Sequence, residues 1–139
     1  MGWLMTCRRE RGERGAAAVE FALVSLIMIT LVASVIQFAL YFWGYQGASS
    51  AAREAARLGA VNPCDEAAII ARGKLRASEA APVVGTPAVT VTAPTKAVGA
   101  ALTVKVTFTT VNIGIIPGFD AEISKSATTR IENLPSVGC

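Results

Sequence analysis

The longest pattern in the chain is an uncharged apolar stretch near its N-terminus. Phe21 to Tyr45 contains no Asp, Glu, Lys or Arg. At about 1.5 Å per residue, a helix of this length rises roughly 37 Å, which exceeds the ~30 Å hydrocarbon core of a bilayer. No proline interrupts residues 16–58, and Gly59 stands where a C-cap glycine would end a helix. The pattern predicts a long helix over residues 16–58 with a transmembrane part at 21–45.

The outer part of this predicted helix, from Gly44 to Ala56, is dominated by Gly, Ala and Ser. Such small side chains allow another backbone to approach a helix closely. A plain alanine-rich helix, favoured by propensity alone, has the same composition. The sequence leaves both interpretations open. At the end of this part, Glu54 and the following Arg57 are spaced to form a solvated ion pair.

A second, shorter helix is predicted after the sequence NPCD at residues 62–65. Asn62 suits the N-cap, Pro63 suits the first helical position, and Asp65 falls where an acid favours the helix dipole. This helix should run to about Ala77.

The hydrophobic period then changes from helical to alternating, which indicates strands. Pro82, Gly85 and Pro87 predict a loop before the change. Residues 89–92 (VTVT) and 102–109 (LTVKVTFT) alternate as half-buried antiparallel strands do.

A turn near residues 96–99 would join these two strands as a hairpin, and Pro117-Gly118 signals another turn. Residues 122–131 are the third predicted strand. The predicted fold class is α+β: a long N-terminal transmembrane helix, a short second helix, and a small antiparallel sheet of about three strands. The part at 59–139 is small enough to need the long helix or a covalent tie to complete its core.

The distribution of charge predicts the orientation of the chain in the membrane. The 139-residue chain has a formal net charge of +3, and most of that excess lies in residues 1–15. Because basic residues beside a span stay on the cytoplasmic side, the N-terminus is predicted inside and residues 59–139 outside. An interfacial aromatic belt explains Tyr41, Trp43 and Tyr45. Downstream basic residues are scattered, so we expect no nucleic acid partner.

Composition also argues against an enzyme. The chain contains no histidine, which removes the commonest general base, a common zinc ligand and both the Ser-His and Cys-His nucleophile arrangements. Its acidic residues form no recognisable catalytic pair, and Asp65 and Glu66 are better explained by helix capping. We therefore expect no catalytic residues, no cofactor and no metal.

The most specific motif lies where the basic leader meets the apolar run, at residues 14–23 (RGAAAVEFAL). Gly15 follows the leader, and Glu20 stands five residues after it. This arrangement closely resembles the class III signal of type IV pilins and pseudopilins. Together with residues 51–57 (AAREAAR), it is similar to the TadE-type pseudopilins of tight-adherence (Flp) pilus systems. The resemblance is specific over residues 11–60 and only architectural after them.

The resemblance implies that residues 1–15 are a leader removed by prepilin peptidase, which would cut between Gly15 and Ala16. It implies a minor pilin or pseudopilin that is inserted in the cytoplasmic membrane and is incorporated into, or used to prime, a tight-adherence pilus. The implied partners are the peptidase, the major and minor pilins, the inner-membrane assembly platform and membrane lipid.

Glu20 makes membrane insertion of the helix less favourable, since a carboxylate at the centre of a span adds about 2.5 to 3.5 kcal/mol to the insertion free energy. If the leader is cut, the new α-amine of Ala16 needs a counter-ion in the same layer, and Glu20 lies one helical turn away. We expect Glu20 to supply it, to its own chain or to a neighbour. The alternative is an interfacial charge beside Arg14 with no role.

Other address signals remain as alternatives. Ordinary signal peptidase cleavage near residues 48–52 would need a shorter apolar run. An uncut anchor would make the spacing of Gly15 and Glu20 a coincidence. It would also make the chain an unpolymerised, single-pass membrane-anchored binding protein with an extracytoplasmic domain.

The three cysteines differ in predicted compartment. Cys7 belongs to the leader, whereas Cys64 and Cys139 lie on the outer, oxidising side. An even pair in such a compartment predicts one disulfide between Cys64 and Cys139. Two free thiols and an intermolecular bridge remain as alternatives.

Overall fold

The computed structural model describes residues 10–114, 121–134 and 139, with side chains from residue 15 onward. It contains two helices and three strands: α1 (Glu10–Val61), α2 (Glu66–Ala80), β1 (Val83–Thr92), β2 (Ala101–Thr110) and β3 (Glu122–Arg130). The strands form one antiparallel sheet in the order β1-β2-β3. The predicted α+β class is confirmed. Cys7 and the predicted turn at Pro117-Gly118 lie outside the described residues.

The chain divides into two units, one ending at Ile36 and the other comprising Gln37–Cys139. In its described residues, the first unit is helix alone. The second unit, called here the C-terminal domain, contains the rest of α1, α2 and the sheet.

The end of α1 differs from the prediction. The helix continues past Gly59 to Val61, and the backbone N–H of Asn62 still donates to the carbonyl of Leu58 at 2.9 Å. Gly59 is not a left-handed cap but a packing glycine, because a Cβ there would lie 2.8 Å from Cδ2 of Leu102. The helix also begins earlier than predicted, at Glu10.

The start of α2 was assigned to the wrong residue. Asp65, not Asn62, is the N-cap, and its side chain accepts a hydrogen bond from the backbone N–H of Ala68 at 2.9 Å. Asn62 and Pro63 belong instead to the connection between the helices. The helix ends at Ala80, slightly beyond the predicted end.

The alternation predicted for β2 is confirmed, since Leu102, Val104, Val106 and Phe108 are all buried. The sheet register places Val104 opposite Val91 on one side and Ala127 on the other. The other face of the sheet carries mainly Ser, Thr and charged residues.

The loop predicted around Gly85 and Pro87 is wrong, because both residues lie in β1. The register shifts between Val84 and Ala88, which pair with Thr109 and Thr107. This bulge absorbs Pro87, and β1 is an edge strand, where a missing backbone N–H is tolerated. Gly85 adopts φ +78°, a left-handed conformation that glycine accepts readily.

The core of the C-terminal domain lies between the sheet and the two helices. It consists of alanines from α1 together with residues of α2, the sheet and the positions that follow α2 and β3: Ala48, Ala51, Ala52, Ala55, Ala56, Ile69, Ala77, Ala81, Val89, Leu102, Val104, Val106, Phe108, Ile123 and Ile131. The long helix therefore completes this core, as the small size of the 59–139 part predicted.

Candidate functional site

The leader motif lies on an exposed part of α1. Gly15, Ala16 and Glu20 are all solvent-exposed, and Glu20 lies one helical turn after Ala16. A Cβ built on Gly15 would meet no atom of the described residues within 4 Å. Packing against the described part of the chain therefore gives no reason for glycine at residue 15. The roles predicted for these three residues stay predictions.

The helix after the motif is long and apolar enough to cross a membrane. Its large apolar side chains are exposed, for example Phe21 at 74% and Leu26 at 65%. Its hydroxyl groups are satisfied by the helix itself. The side chains of Ser25, Thr30 and Ser34 donate to backbone carbonyls three or four residues earlier, at 2.7 to 2.9 Å. Such internal pairing is what a helix surrounded by lipid requires.

The small residues of the outer part of α1 are a close-packing surface within the C-terminal domain. A Cβ on Gly47 would lie 2.6 Å from Cβ of Ala81, and one on Gly44 would clash with Cγ2 of Thr110 and lie 2.9 Å from Cδ1 of Ile123. Close approach, rather than helix propensity alone, explains this composition. The approaching groups are the C-terminal end of α2 with Ala81 and side chains of the sheet, all of the same chain.

Gln37 is a structural residue that the sequence prediction missed. Its side chain is only 1% exposed. Its amide Nε2 donates to the carbonyl of Val111 at 3.1 Å, and its Oε1 accepts from the backbone N–H of Ile113 at 2.9 Å. The available signal was the single amide within the apolar run from Phe21 to Tyr45.

The three aromatic residues predicted to form an interfacial belt have different surroundings. Tyr41 is half-buried against the domain core, whereas Trp43 is 56% exposed. Tyr45 contacts a cation, since Nζ of Lys125 lies 3.5 Å from the centre of its ring. This contact explains Tyr45 without a membrane.

Cys64 and Cys139 lie at disulfide-bonding distance, with their Cα atoms 5.3 Å apart. Backbone hydrogen bonds bring the chain after β3 to the same end of α1. The N–H groups of Glu132 and Asn133 donate to the carbonyl of Ala60 at 2.8 and 3.3 Å. The geometry suits the predicted intramolecular pairing.

The predicted pair of Glu54 and Arg57 is present only as a longer-range attraction between the two charges. Glu54 instead accepts from Nη2 of Arg72 on α2 at 2.9 Å. This hydrogen bond is the main reason that the pKa of Glu54 lies below its ordinary value, and the charges of Arg72, Arg57 and Arg76 lower the pKa further. Pairing across two helices depends on tertiary structure, which the spacing along α1 does not contain.

At significant similarity, the chain matches neither a curated protein nor a solved structure. Residues 15–57 match the family model described as TadE-like protein, from the glycine of the leader motif to the end of the AAREAAR segment. This match supports a structural, Tad pilus-associated protein. The resemblance to TadE-like proteins is thus confirmed over residues 15–57.

Proposed function

We propose that this chain is a minor pilin or pseudopilin of a tight-adherence pilus, matured by prepilin peptidase between Gly15 and Ala16. The observation that carries the proposal is that the TadE-like match begins at Gly15 and continues along α1. Gly15 has no packing role among the residues that the structure describes, which is expected of a residue recognised by another protein. The chemistry is assembly of subunits, not turnover of a substrate.

The proposed topology is a single pass in the cytoplasmic membrane, with the N-terminus cytoplasmic and the C-terminal domain extracytoplasmic. The basic leader supports this orientation. The Cys64–Cys139 pair supports it independently, because disulfides persist in oxidising compartments. The partners are prepilin peptidase, other pilus subunits, the assembly platform and membrane lipid.

The lipid-embedded part should be shorter than residues 21–45. Gln37 and Gly44 are buried within the C-terminal domain and are therefore unavailable to lipid. From Ala16 to Ile36 an α-helix rises about 30 Å, which matches the hydrocarbon thickness of a bilayer. We assign the span to residues 16–36, which brings Ala16 and Glu20 to its cytoplasmic end.

Cleavage is tested by replacing Gly15 with leucine and determining the N-terminus of the membrane-associated protein by intact mass. Wild type should begin at Ala16, and Gly15→Leu should insert but keep its leader. Gly12→Leu is the matched control, since it adds the same side chain to the leader and leaves Gly15 in place. A wild-type chain that begins at Met1 would favour the unpolymerised membrane-anchored protein. A Gly15→Leu chain with the mature mass would contradict the class III assignment.

Assembly is tested separately with Glu20→Gln, which removes the charge and keeps the shape. This variant should insert and be cleaved, yet lose co-purification with the other pilus subunits, because the α-amine of Ala16 then has no counter-ion. Glu20→Asp should restore part of the association. Undiminished co-purification of mature Glu20→Gln would exclude the charge-pairing role while leaving the cleavage assignment intact.

A further inference from the structure

A groove lies along the junction of α1 and α2 on the surface of the C-terminal domain. It has a volume of about 550 Å³ and is lined by residues from both helices. Its small lining residues are Gly47, Ser50 and Ala80. Trp43 lies at one end and Arg53 and Arg57 toward the other. The groove therefore has an apolar end and a cationic end.

The cationic end carries an excess of positive charge, because Arg53, Arg57 and Arg76 line the groove with one acid, Glu54. Arg53 donates to the carbonyl and hydroxyl oxygens of Ser49, at 3.3 and 2.6 Å, and not to a carboxylate. The charge of Arg57 acts on Glu54, but no carboxylate of the described residues lies within ion-pair distance of Arg57. Glu54 also lines the groove, but Arg72 already occupies it. Two guanidinium groups one helical turn apart repel each other, so an anion bound between them would remove an unfavourable interaction.

The dimensions of the groove define the length of its ligand. From Trp43 to Arg57 the helix rises about 21 Å. An extended peptide covers this distance with about six or seven residues. Guanidinium groups bind carboxylates in a bidentate geometry, and the indole of Trp43, 56% exposed, offers a contact for an apolar side chain.

A phospholipid headgroup would offer a similar charge, but it lies too far away. Given the proposed span, Arg53 is about 24 Å beyond Gln37 along the helix axis, and still about 18 Å at a tilt of about 40°. The headgroup layer extends only about 5 to 8 Å beyond the hydrocarbon core. This step rests on the proposed topology.

We infer that the groove between α1 and α2 binds an extended acidic segment of a partner protein. Two of its carboxylates bind Arg53 and Arg57, and an apolar side chain about five residues away contacts Trp43. The partner is recognised by this pattern of one apolar and several acidic residues.

The test uses the full chain in phosphatidylcholine nanodiscs. Two fluorescent peptides are compared: one reads leucine, three serines and three glutamates from its N-terminus, and the other has the reverse order. Fluorescence anisotropy should detect saturable binding of one order. Arg53→Gln/Arg57→Gln should raise the Kd about tenfold, the effect of losing two exposed charge pairs. Lys105→Gln/Arg130→Gln is the charge-matched control on the outer face of the sheet and should leave the Kd unchanged. Circular dichroism should show that both variants are folded.

Three results would overturn the inference. Equal weakening by the two double variants would show non-specific attraction between charges, and absence of binding to wild type would show no site. The third is competition by lipid, in which phosphatidylglycerol nanodiscs would weaken peptide binding because the anionic headgroups occupy Arg53 and Arg57.

A peptide with serine in place of leucine should bind about fivefold more weakly if Trp43 contacts the apolar side chain. Each of these results is independent of cleavage at Gly15.

Discussion

Residues 15–36 and 37–61 of α1 share a backbone conformation but differ in which side chains they expose and bury. The first stretch exposes large apolar residues such as Phe21 and Leu26. The second buries glycine and alanine, with Ala48 and Ala55 fully inaccessible. Lipid conforms to any apolar side chain, whereas a sheet packed at close range accepts only small ones. The side-chain sizes along one helix therefore indicate which kind of neighbour each part has.

Glycine makes the same distinction at single positions. No described atom would lie within 4 Å of a Cβ on Gly15, whereas a Cβ on Gly47 would lie 2.6 Å from Cβ of Ala81. Within the described residues, packing requires glycine at residue 47 and not at residue 15. The comparison predicts that substitutions at buried positions in 37–61 change the stability of the C-terminal domain, and that those in 15–36 change processing or assembly instead.

The largest effect on the C-terminal domain is expected from breaking the Cys64–Cys139 pair. The two residues are separated by 75 positions, and the chain-entropy model assigns a tie over such a loop about 4 kcal/mol. Cys64→Ser or Cys139→Ser should lower the free energy of unfolding by about this amount and leave membrane insertion unchanged. Denaturant unfolding of the purified chain measures it. Cys7→Ser is the control and should have no effect. Two alkylated thiols in unreduced wild type would show that the bond is absent.

Overpacking the helix face is the next largest change. Gly47→Leu forces a side chain into the contact with Ala81 and should cost about 3 kcal/mol. Ala39→Leu makes a similar enlargement at an exposed position of the same helix and should change the unfolding midpoint little. Equal midpoints for the two variants would mean that α1 does not pack closely on the domain.

Gln37 is the first residue of the C-terminal domain. Replacing its side chain tests where residues 15–36 of α1 end and the packed stretch 37–61 begins. Gln37→Leu leaves the carbonyl of Val111 and the N–H of Ile113 without their partner, at an expected cost of about 2 kcal/mol. Gln46→Leu, at an exposed position, is the matched control. Hydrogen exchange should show faster exchange at Ile113 in Gln37→Leu only. Unchanged exchange there would move the boundary further along the helix.

The smallest effect concerns the surface pair of Glu54 and Arg72. Because the pKa of Glu54 is lowered in the folded chain, its contribution to stability is present above the ordinary value of 4.5 and is lost as the pH falls through the lowered value. The unfolding midpoint of wild type should exceed that of Glu54→Gln near neutral pH, and the two should converge in acid. Arg72→Gln should remove most of this pH dependence. A difference that persists in acid would point to a loss unrelated to charge.

Much of the fold follows from local patterns. Alternation locates the centre of β2, and the long uncharged run with its small outer residues locates α1. The errors occurred where close contact decides the outcome. Gly59 is the residue type that commonly caps a helix, but here it is glycine because Leu102 packs against it. Pro87 lies in a strand because a bulge at the sheet edge accommodates it. Gln37 and the pairing of Glu54 with Arg72 depend on segments distant in sequence, which periodicity cannot identify.

The Cys64–Cys139 pair also determines how the C-terminal domain would carry a mechanical load. Cys64 follows α1 by three residues. When the disulfide is formed, a force that pulls Cys139 away from α1 is transmitted along the backbone of residues 62–64 and across the two sulfur atoms. The second helix and the three strands then lie in a closed loop parallel to the path of the force. Stretching would load covalent bonds before any strand is pulled from its neighbour.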